Sequence, residues 1–326
     1  MKALVTGATG FVGLHVARCL RARGHAVRVL ARNPEKAARL FAAQSVEIAI
    51  ADMTDARAVR AALAGCDSLV HAAAAVSLDP RDAERVLREN VGAARAAIDG
   101  ARATGVARIV YVSSLAAIWS LPGPDPDPSS PLRASQSGYA RAKIEAERIV
   151  RAQQSAGAPI ALVYPNGVIG PDDPGLSEAV RAFRSFTRTT LATSGGLASV
   201  DVRDLALLCV RLLEEDRRGW FVMGGQFQSW DGLVVALEPL LGRKIRRLRA
   251  PGWALRAAGS AFDLARRVRP VASLISREAM EYATRMRGLP NDPALQELGV
   301  ALRPLTETYR DTLRSLEAAS SRRARP

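Results

Sequence analysis

The chain has 326 residues, 48% of them hydrophobic and 24% charged, a composition that buries a full core without help from metals or disulfides. Its three cysteines, Cys19, Cys66 and Cys209, lie far apart among apolar neighbours and read as free, mostly buried thiols, which excludes a disulfide scaffold. The formal charge of +14 raises the question of polyanions, but the arginines are spread along the whole chain. The denser groups, Arg243 to Arg249, Arg266 to Arg269 and Arg322 to Arg325, bring no recognition motif or interleaved aromatics, so nucleic acid is not an expected partner.

Met1-Lys2-Ala3-Leu4-Val5 runs directly into a glycine loop without a secretory pattern, and no apolar run reaches the roughly 18 residues of a membrane span. The expectation is a cytoplasmic protein. Apolar, β-rich runs at Ala3 to Val5, Val27 to Leu30, Val46 to Ile50, Ser68 to His71, Arg108 to Ser113 and Pro159 to Tyr164 alternate with amphipathic helical stretches. Continuous hydrophobicity in such strands is the mark of a parallel sheet covered on both faces. The fold class is α/β, a doubly wound parallel sheet of Rossmann type with a smaller C-terminal α+β substrate lobe.

The first strand ends in Val5-Thr6-Gly7-Ala8-Thr9-Gly10-Phe11-Val12-Gly13, and a helix through Leu20 follows at once. Gly7 permits a tight turn, Gly10 lets backbone N–H groups approach a pyrophosphate, and Gly13 allows close helix packing. Thr6, Thr9, Phe11 and Val12 complete this dinucleotide loop. The second strand ends Leu30-Ala31-Arg32-Asn33, with no acidic residue for adenosine ribose hydroxyls; Arg32 offers a planar cation to a 2′-phosphate, which favours NADP over NAD. Asp52 and Met53 end the third strand, where they suit an adenine amino group and ring face, although Asp52 serves equally as a helix cap.

The fifth strand ends Val112-Ser113-Ser114, and Ser114 at the carboxyl end of a strand points into the ligand crevice of such a sheet. The interval Pro122 to Ser137, with Pro122, Pro124, Pro126, Pro128 and Pro131, is a loop beside the chemistry. Tyr139 and Lys143 follow in a helical stretch, Tyr139 to Gln153, and share a face at a spacing of four. A neighbouring ammonium favours the phenolate, bringing proton exchange with a substrate hydroxyl within reach near neutral pH.

After about residue 165 the alternation weakens. Segments at Ala198 to Val202 and Trp220 to Met223 mix with helices near Val202 to Glu215 and Asp231 to Leu241. Residues 1–165 are therefore expected to form the dinucleotide domain, with about 198–215 returning to it, and 166–319 mainly the substrate lobe. Residues 320–326 are expected to be a disordered tail. The segment Pro251 to Arg269 combines apolar bulk with arginines; it reads first as a lid or core helix of the lobe, and second as a peripheral membrane contact. His15, His25 and His71 are scattered, so no metal site is expected.

These motifs are similar to those of the extended short-chain dehydrogenase/reductase family, also called the NAD-dependent epimerase/dehydratase family. The matching segments are Val5 to Gly13, His71-Ala-Ala73, Glu89-Asn90-Val91-Gly92, Val110 to Ser114, Tyr139 to Lys143, Tyr164-Pro165 through Gly170-Pro171, and Val200 to Asp204. The resemblance implies catalytic roles for Ser114, Tyr139 and Lys143. It also implies that Ala72 and Ala73 line the nicotinamide, that Asn90 supports the fourth-strand region, and that Pro165 with Val168 meets the carboxamide face. Where dehydratases of the family carry an acidic pair after the serine, this chain has Leu115 and Ala116. Where its nucleotide-sugar epimerases carry a diphosphate-binding Asn, it has Gly167, with Asn166 adjacent. The pattern Pro165-Asn-Gly-Val-Ile-Gly170-Pro looks closer to dihydroflavonol 4-reductase and 3β-hydroxysteroid dehydrogenase-like members, which implies an apolar small-molecule substrate. The reading is an NAD(P)-dependent oxidoreductase acting on a carbonyl or secondary alcohol, as monomer or homodimer. The alternatives are an epimerase that oxidises its substrate transiently and a non-catalytic NADP-binding regulator.

Overall fold

The structure is a computed structural model that describes residues 1–323 except 78, 128–129, 134–137 and 269–274; for 80, 138–139, 266–268 and 322–323 it describes the backbone alone. Pro128 and Ser137 of the proline-rich loop, Arg269, and the last three residues of the expected tail lie outside the described residues.

The first half alternates strictly: β1 (Lys2–Thr6), α1 (Phe11–Ala22), β2 (Ala26–Ala31), α2 (Pro34–Phe41), β3 (Glu47–Ile50), α3 (Ala56–Leu63), β4 (Ser68–His71), α4 (Ala83–Ala103), β5 (Arg108–Val112), α5 (Gly138–Ser155) and β6 (Ile160–Pro165). Local chemistry sets the helix starts. Asn33 accepts from the Lys36 N–H ahead of Pro34 at the first position of α2, and Asp55 accepts from the Arg57 and Ala58 N–H groups at the start of α3.

The second half continues with β7 (Gly167–Ile169), α6 (Glu178–Phe186), β8 (Thr189–Leu191), β9 (Gly196–Asp201), α7 (Val202–Glu214), β10 (Gly219–Met223), β11 (Gln226–Ser229) and α8 (Trp230–Leu241). It closes with β12 (Arg246–Leu248), α9 (Gly252–Val268), α10 (Arg277–Arg285), α11 (Ala294–Glu297) and α12 (Leu305–Arg323).

Seven strands form one sheet in the order β10-β6-β5-β4-β1-β2-β3, every pair parallel. Side chains of alternate parity feed two cores. Leu4, Leu69, Ile109 and Leu162 pack with Leu63, Ile98 and Ile144 of α3, α4 and α5 on one face. Val5, Val70, Val110 and Val163 pack with Leu14 of α1 and Leu205, Leu208 and Leu212 of α7 on the other. A third core, around Phe183, Trp230, Leu237 and Tyr309, belongs to the lobe and takes in Phe11 from the glycine loop.

The lobe carries a three-stranded sheet, β11-β9-β7, and a two-stranded one, β12-β8. Three sequence expectations are corrected. The segment Trp220 to Met223, assigned to the lobe, is the edge strand of the main sheet, because Phe221, Val222 and Met223 are buried and pair in register with Val163, Tyr164 and Pro165. The segment at about 198 to 215 is divided, since β9 pairs within the lobe sheet and only α7 packs back onto α1. Finally, Ser320 to Arg323 continue α12 rather than open a tail, the Ser320 and Ser321 hydroxyls donating to the carbonyls of Leu316 and Glu317.

Candidate active site

The strand order reverses between β1 and β4, and their carboxyl ends open the crevice where ligands sit in such sheets. Gly7 follows β1 with φ +70°, and a Cβ there would lie 2.6 Å from the Ala73 nitrogen. The loop therefore rests directly on Ala72 and Ala73, which follow β4. A Cβ on Gly13 would lie 2.4 Å from the Gly7 carbonyl oxygen, so the loop closes on the first turn of α1 only because both positions lack side chains. Gly10 is the N-cap of α1, no side chain caps it, and no acidic residue occupies the first turn. The first N–H groups of a helix have no intrahelical partner and carry partial positive charge, so this end fits a pyrophosphate. Thr9 and Val12 are half-buried at the rim, while Phe11 is buried against the lobe and meets His15 edge-on.

Thr6, expected at the cofactor, has a buried side chain, its Oγ1 hydrogen-bonded to His71 Nδ1 at 2.9 Å. Burial and the Lys143 charge push the His71 imidazole down to about 3, so it is neutral, and it stacks on Tyr111. Asn90 is buried in α4 and holds the segment after β4, accepting from the Ala75 N–H at 3.0 Å and donating to the Ala75 carbonyl at 2.9 Å.

At the adenosine side the Arg32 side chain is 64% exposed and lies 3.9 Å from Asp52, a pair too open to add much stability. β3 ends at Ile50, short of the expected Asp52 and Met53. Asp52 does not cap α3; it accepts from the Thr54 hydroxyl and N–H, which hold its carboxyl below the usual range. Met53 is partly buried against the first core.

The end of β5 gathers the chemistry. Ser114, half-buried, accepts from the Ala116 N–H at 3.2 Å, and among the described residues its own hydrogen has no acceptor. Lys143 on α5 is buried and donates from Nζ to the Val112 carbonyl at 3.3 Å. Burial lowers its ammonium to about 8, with Glu147 pulling in the opposite direction. Tyr139 lies in the first turn of α5, four residues before Lys143, and its side chain lies outside the described residues. Pro165 ends β6, where it pairs with Met223 of β10, and Val168 lies in β7, paired with Val200 of β9.

Sequence reasoning missed the groups behind Lys143. Ser113 is buried and donates to Glu147, a fully buried carboxylate one turn beyond Lys143. Glu147 also accepts from Tyr164 at 2.7 Å and from Arg151 at 2.8 Å, and the Arg151 guanidinium lies 3.8 Å from the Trp220 ring centroid. Lys143, Glu147 and Arg151 recur at intervals of four, the signal by which this inward polar stripe could have been found. Among the described residues no group of three or more His, Cys, Asp or Glu could hold a metal ion.

In the lobe, Asn166 donates to the Gly224 carbonyl and accepts from the Gly167 N–H, so its amide is engaged within the protein. A Cβ on Gly167 would lie 3.3 Å from the Ala198 carbonyl oxygen, which makes that position tight against β9.

This fold and crevice define a nicotinamide-dinucleotide enzyme of the extended short-chain dehydrogenase/reductase class, reductase or epimerase in activity. The chain belongs to the NAD dependent epimerase/dehydratase family, which it matches over residues 3–224. It is 32% identical over 256 residues to sterol demethylase protein B of Methylococcus capsulatus, covering 77% of this chain and 78% of that protein. It is 31% identical over 330 residues to the 4-hydroxy-2-methyl-3-oxo-4-farnesyl-3,4-dihydroquinoline-1-oxide ketoreductase of Stigmatella aurantiaca, covering 96% of each. Among solved structures, that of gox2253 superposes with a TM-score of 0.83 at 28% identity, covering 97% of this chain and 98% of that one.

Proposed function

We propose that the chain interconverts a carbonyl and a secondary alcohol on an apolar, lipid-like substrate, with NADP preferred over NAD. The observation that carries this reading is the meeting, at the end of β5, of a buried ammonium with a serine hydroxyl whose hydrogen has no acceptor among the described residues. That ammonium has three N–H donors and, among the described residues, one partner.

When bound, the dinucleotide supplies or accepts the hydride at its nicotinamide ring. Ser114 donates to the substrate oxygen and holds it. Tyr139 gives that oxygen its phenolic proton in reduction and takes it back in oxidation. A phenol titrates near 10 in water, and the Lys143 ammonium favours the phenolate, which brings the exchange toward neutral pH. The remaining Lys143 donors are free for ribose hydroxyls. The start of α1, from Thr9 to Gly13, holds the pyrophosphate, and Arg32 meets a 2′-phosphate beside Asp52 and Met53. Ala72, Ala73, Pro165 and Val168 line the nicotinamide. In this reading the main sheet with its helices is the cofactor domain, and the lobe receives the substrate.

Three observations support an apolar substrate over a nucleotide sugar. No acidic pair follows Ser114, where Leu115 and Ala116 stand. The Asn166 amide is committed to Gly224 and Gly167. Two relatives are named for a sterol and for a farnesylated ring system.

The test is Tyr139→Phe, assayed by nicotinamide absorbance over a panel of apolar ketones. Turnover should fall about 100- to 10,000-fold while NADP affinity, measured by titration calorimetry, stays unchanged. Turnover equal to that of the wild type would sink the assignment.

A further inference from the structure

Helix α9 mixes polar and apolar groups on its inner side, where Leu255 and Phe262 are half-buried. Its inner side carries the polar contacts: Arg256 donates to Thr284 Oγ1 at 2.9 Å, and the Arg277 N–H donates to Asp263 at 2.8 Å. Gly259 lets α9 press onto Ser276, whose carbonyl oxygen would lie 2.7 Å from a Cβ. The outer side is apolar. Trp253, Ala257, Ala258, Ala261, Leu264 and Ala265 are all exposed, Trp253 at 69% and Leu264 at 63%. Their spacing puts them on one continuous stripe, where a helix facing water carries polar groups. The core-helix reading of this segment therefore holds only for its inner side.

The chain enters α9 through a basic run. Arg243, Lys244, Arg246, Arg247 and Arg249 are exposed, together with Leu248 at 45%. Lys244 pairs with Glu238 and Arg247 with Asp231. Arg243, Arg246 and Arg249 have no carboxylate partner among the described residues. Leu248 precedes Trp253 by five residues, at most roughly 18 Å of extended chain, so the basic run and the apolar stripe adjoin.

We infer that α9 docks side-on to an anionic lipid surface, with Trp253, Leu264 and the alanines between them in the headgroup–acyl boundary and Arg243, Arg246 and Arg249 on lipid phosphates. The combination is that of an interfacial helix: an apolar stripe, an amphipathic aromatic, and basic groups at its edge. A second copy of this chain fits poorly. A two-fold contact sets a patch against itself, and here it would set unpaired arginines beside unpaired arginines. The opposite side of α9 is linked toward the candidate active site through α10. Beneath α9, α10 packs Tyr282 edge-on to Trp119 and joins Glu278 to Arg133 at 3.0 Å, and Trp119 lies five residues after Ser114.

The experiment is cosedimentation of the full chain with vesicles of phosphatidylcholine alone and of phosphatidylcholine with phosphatidylglycerol, read together with tryptophan quenching by brominated lipid. Trp119 and Trp230 are buried and Trp220 is half-buried, so the quenchable signal is that of Trp253. The protein should sediment with the anionic vesicles, lose emission to brominated lipid, and be released by salt. Trp253→Glu with Leu264→Glu should abolish sedimentation, and Arg246→Glu with Arg249→Glu should weaken it by about tenfold or more. Absence of wild-type binding to anionic vesicles would overturn the proposal, as would binding that survives both double variants. Concentration-dependent self-association that the Trp253/Leu264 variant removes, without vesicle binding, would assign the stripe to a second copy instead. Because the readout needs no substrate, failure here leaves the proposed chemistry untouched.

Discussion

Helices α5 and α9 are nearly equal in length, 18 and 17 residues, and each reverses the usual pattern of a surface helix in its own way. α5 turns charged groups inward: Lys143 and Glu147 are buried, and Arg151 is tied to Glu147, Tyr164 and the Trp220 ring. α9 turns apolar groups outward. The first inversion is stabilised by partners, since every buried charge on α5 has a hydrogen bond, and removing one leaves the others desolvated. The second has no partner among the described residues. Departures from binary patterning are thus of two kinds, one that the fold completes and one that the described residues leave open, which is the one assigned above to a lipid surface.

The sharpest way to break the comparison is Glu147→Gln. It keeps the shape but deletes the charge that meets Ser113, Tyr164 and Arg151, so chemical denaturation should show a loss of about 3 kcal/mol. A loss below the level typical of surface substitutions would mean that the stripe is not held as a unit. The same variant has a smaller, electrostatic effect. The Lys143 ammonium, lowered by burial to about 8, is charged below that pH and neutral above it, so kcat/KM for carbonyl reduction should fall as pH rises through about 8. Glu147 raises that value, so its removal should move the alkaline fall to lower pH. A midpoint that stays in place while stability drops would confine Glu147 to a structural role.

Legibility followed the range of the interactions. The glycine loop, the six strands of the first half and the spacing of Tyr139 and Lys143 are written in short stretches of chain, where turn chemistry and periodicity are visible. Ser114 stands out in the sequence because a serine just past a strand has few alternative places to point. Glu147 was missed because a carboxylate four residues after a lysine reads as a solvated helix pair, and only the seating of α5 on β5 and β6 turns it inward. β10 was misassigned because five residues carry little strand signal, and its partner β6 lies far back in the sequence. Thr6 shows the limit of adjacency: it neighbours the glycine loop in sequence, while its strand position aims its side chain at His71.

The smallest expected effect belongs to α9 and sharpens the contrast most. Leu264→Gln replaces a side chain that is 63% exposed and touches no core, so the folded state loses little apolar burial when it changes. Its stability in denaturant should stay within about 0.5 kcal/mol of the wild type, or improve slightly. Turnover of a water-dispersed ketone should be unchanged, since none of the residues beside Lys143 or Ser114 is altered. If instead Leu264→Gln destabilises the protein as Glu147→Gln does, the stripe is packed against part of the chain in solution, and α9 is then completed from within, as α5 is.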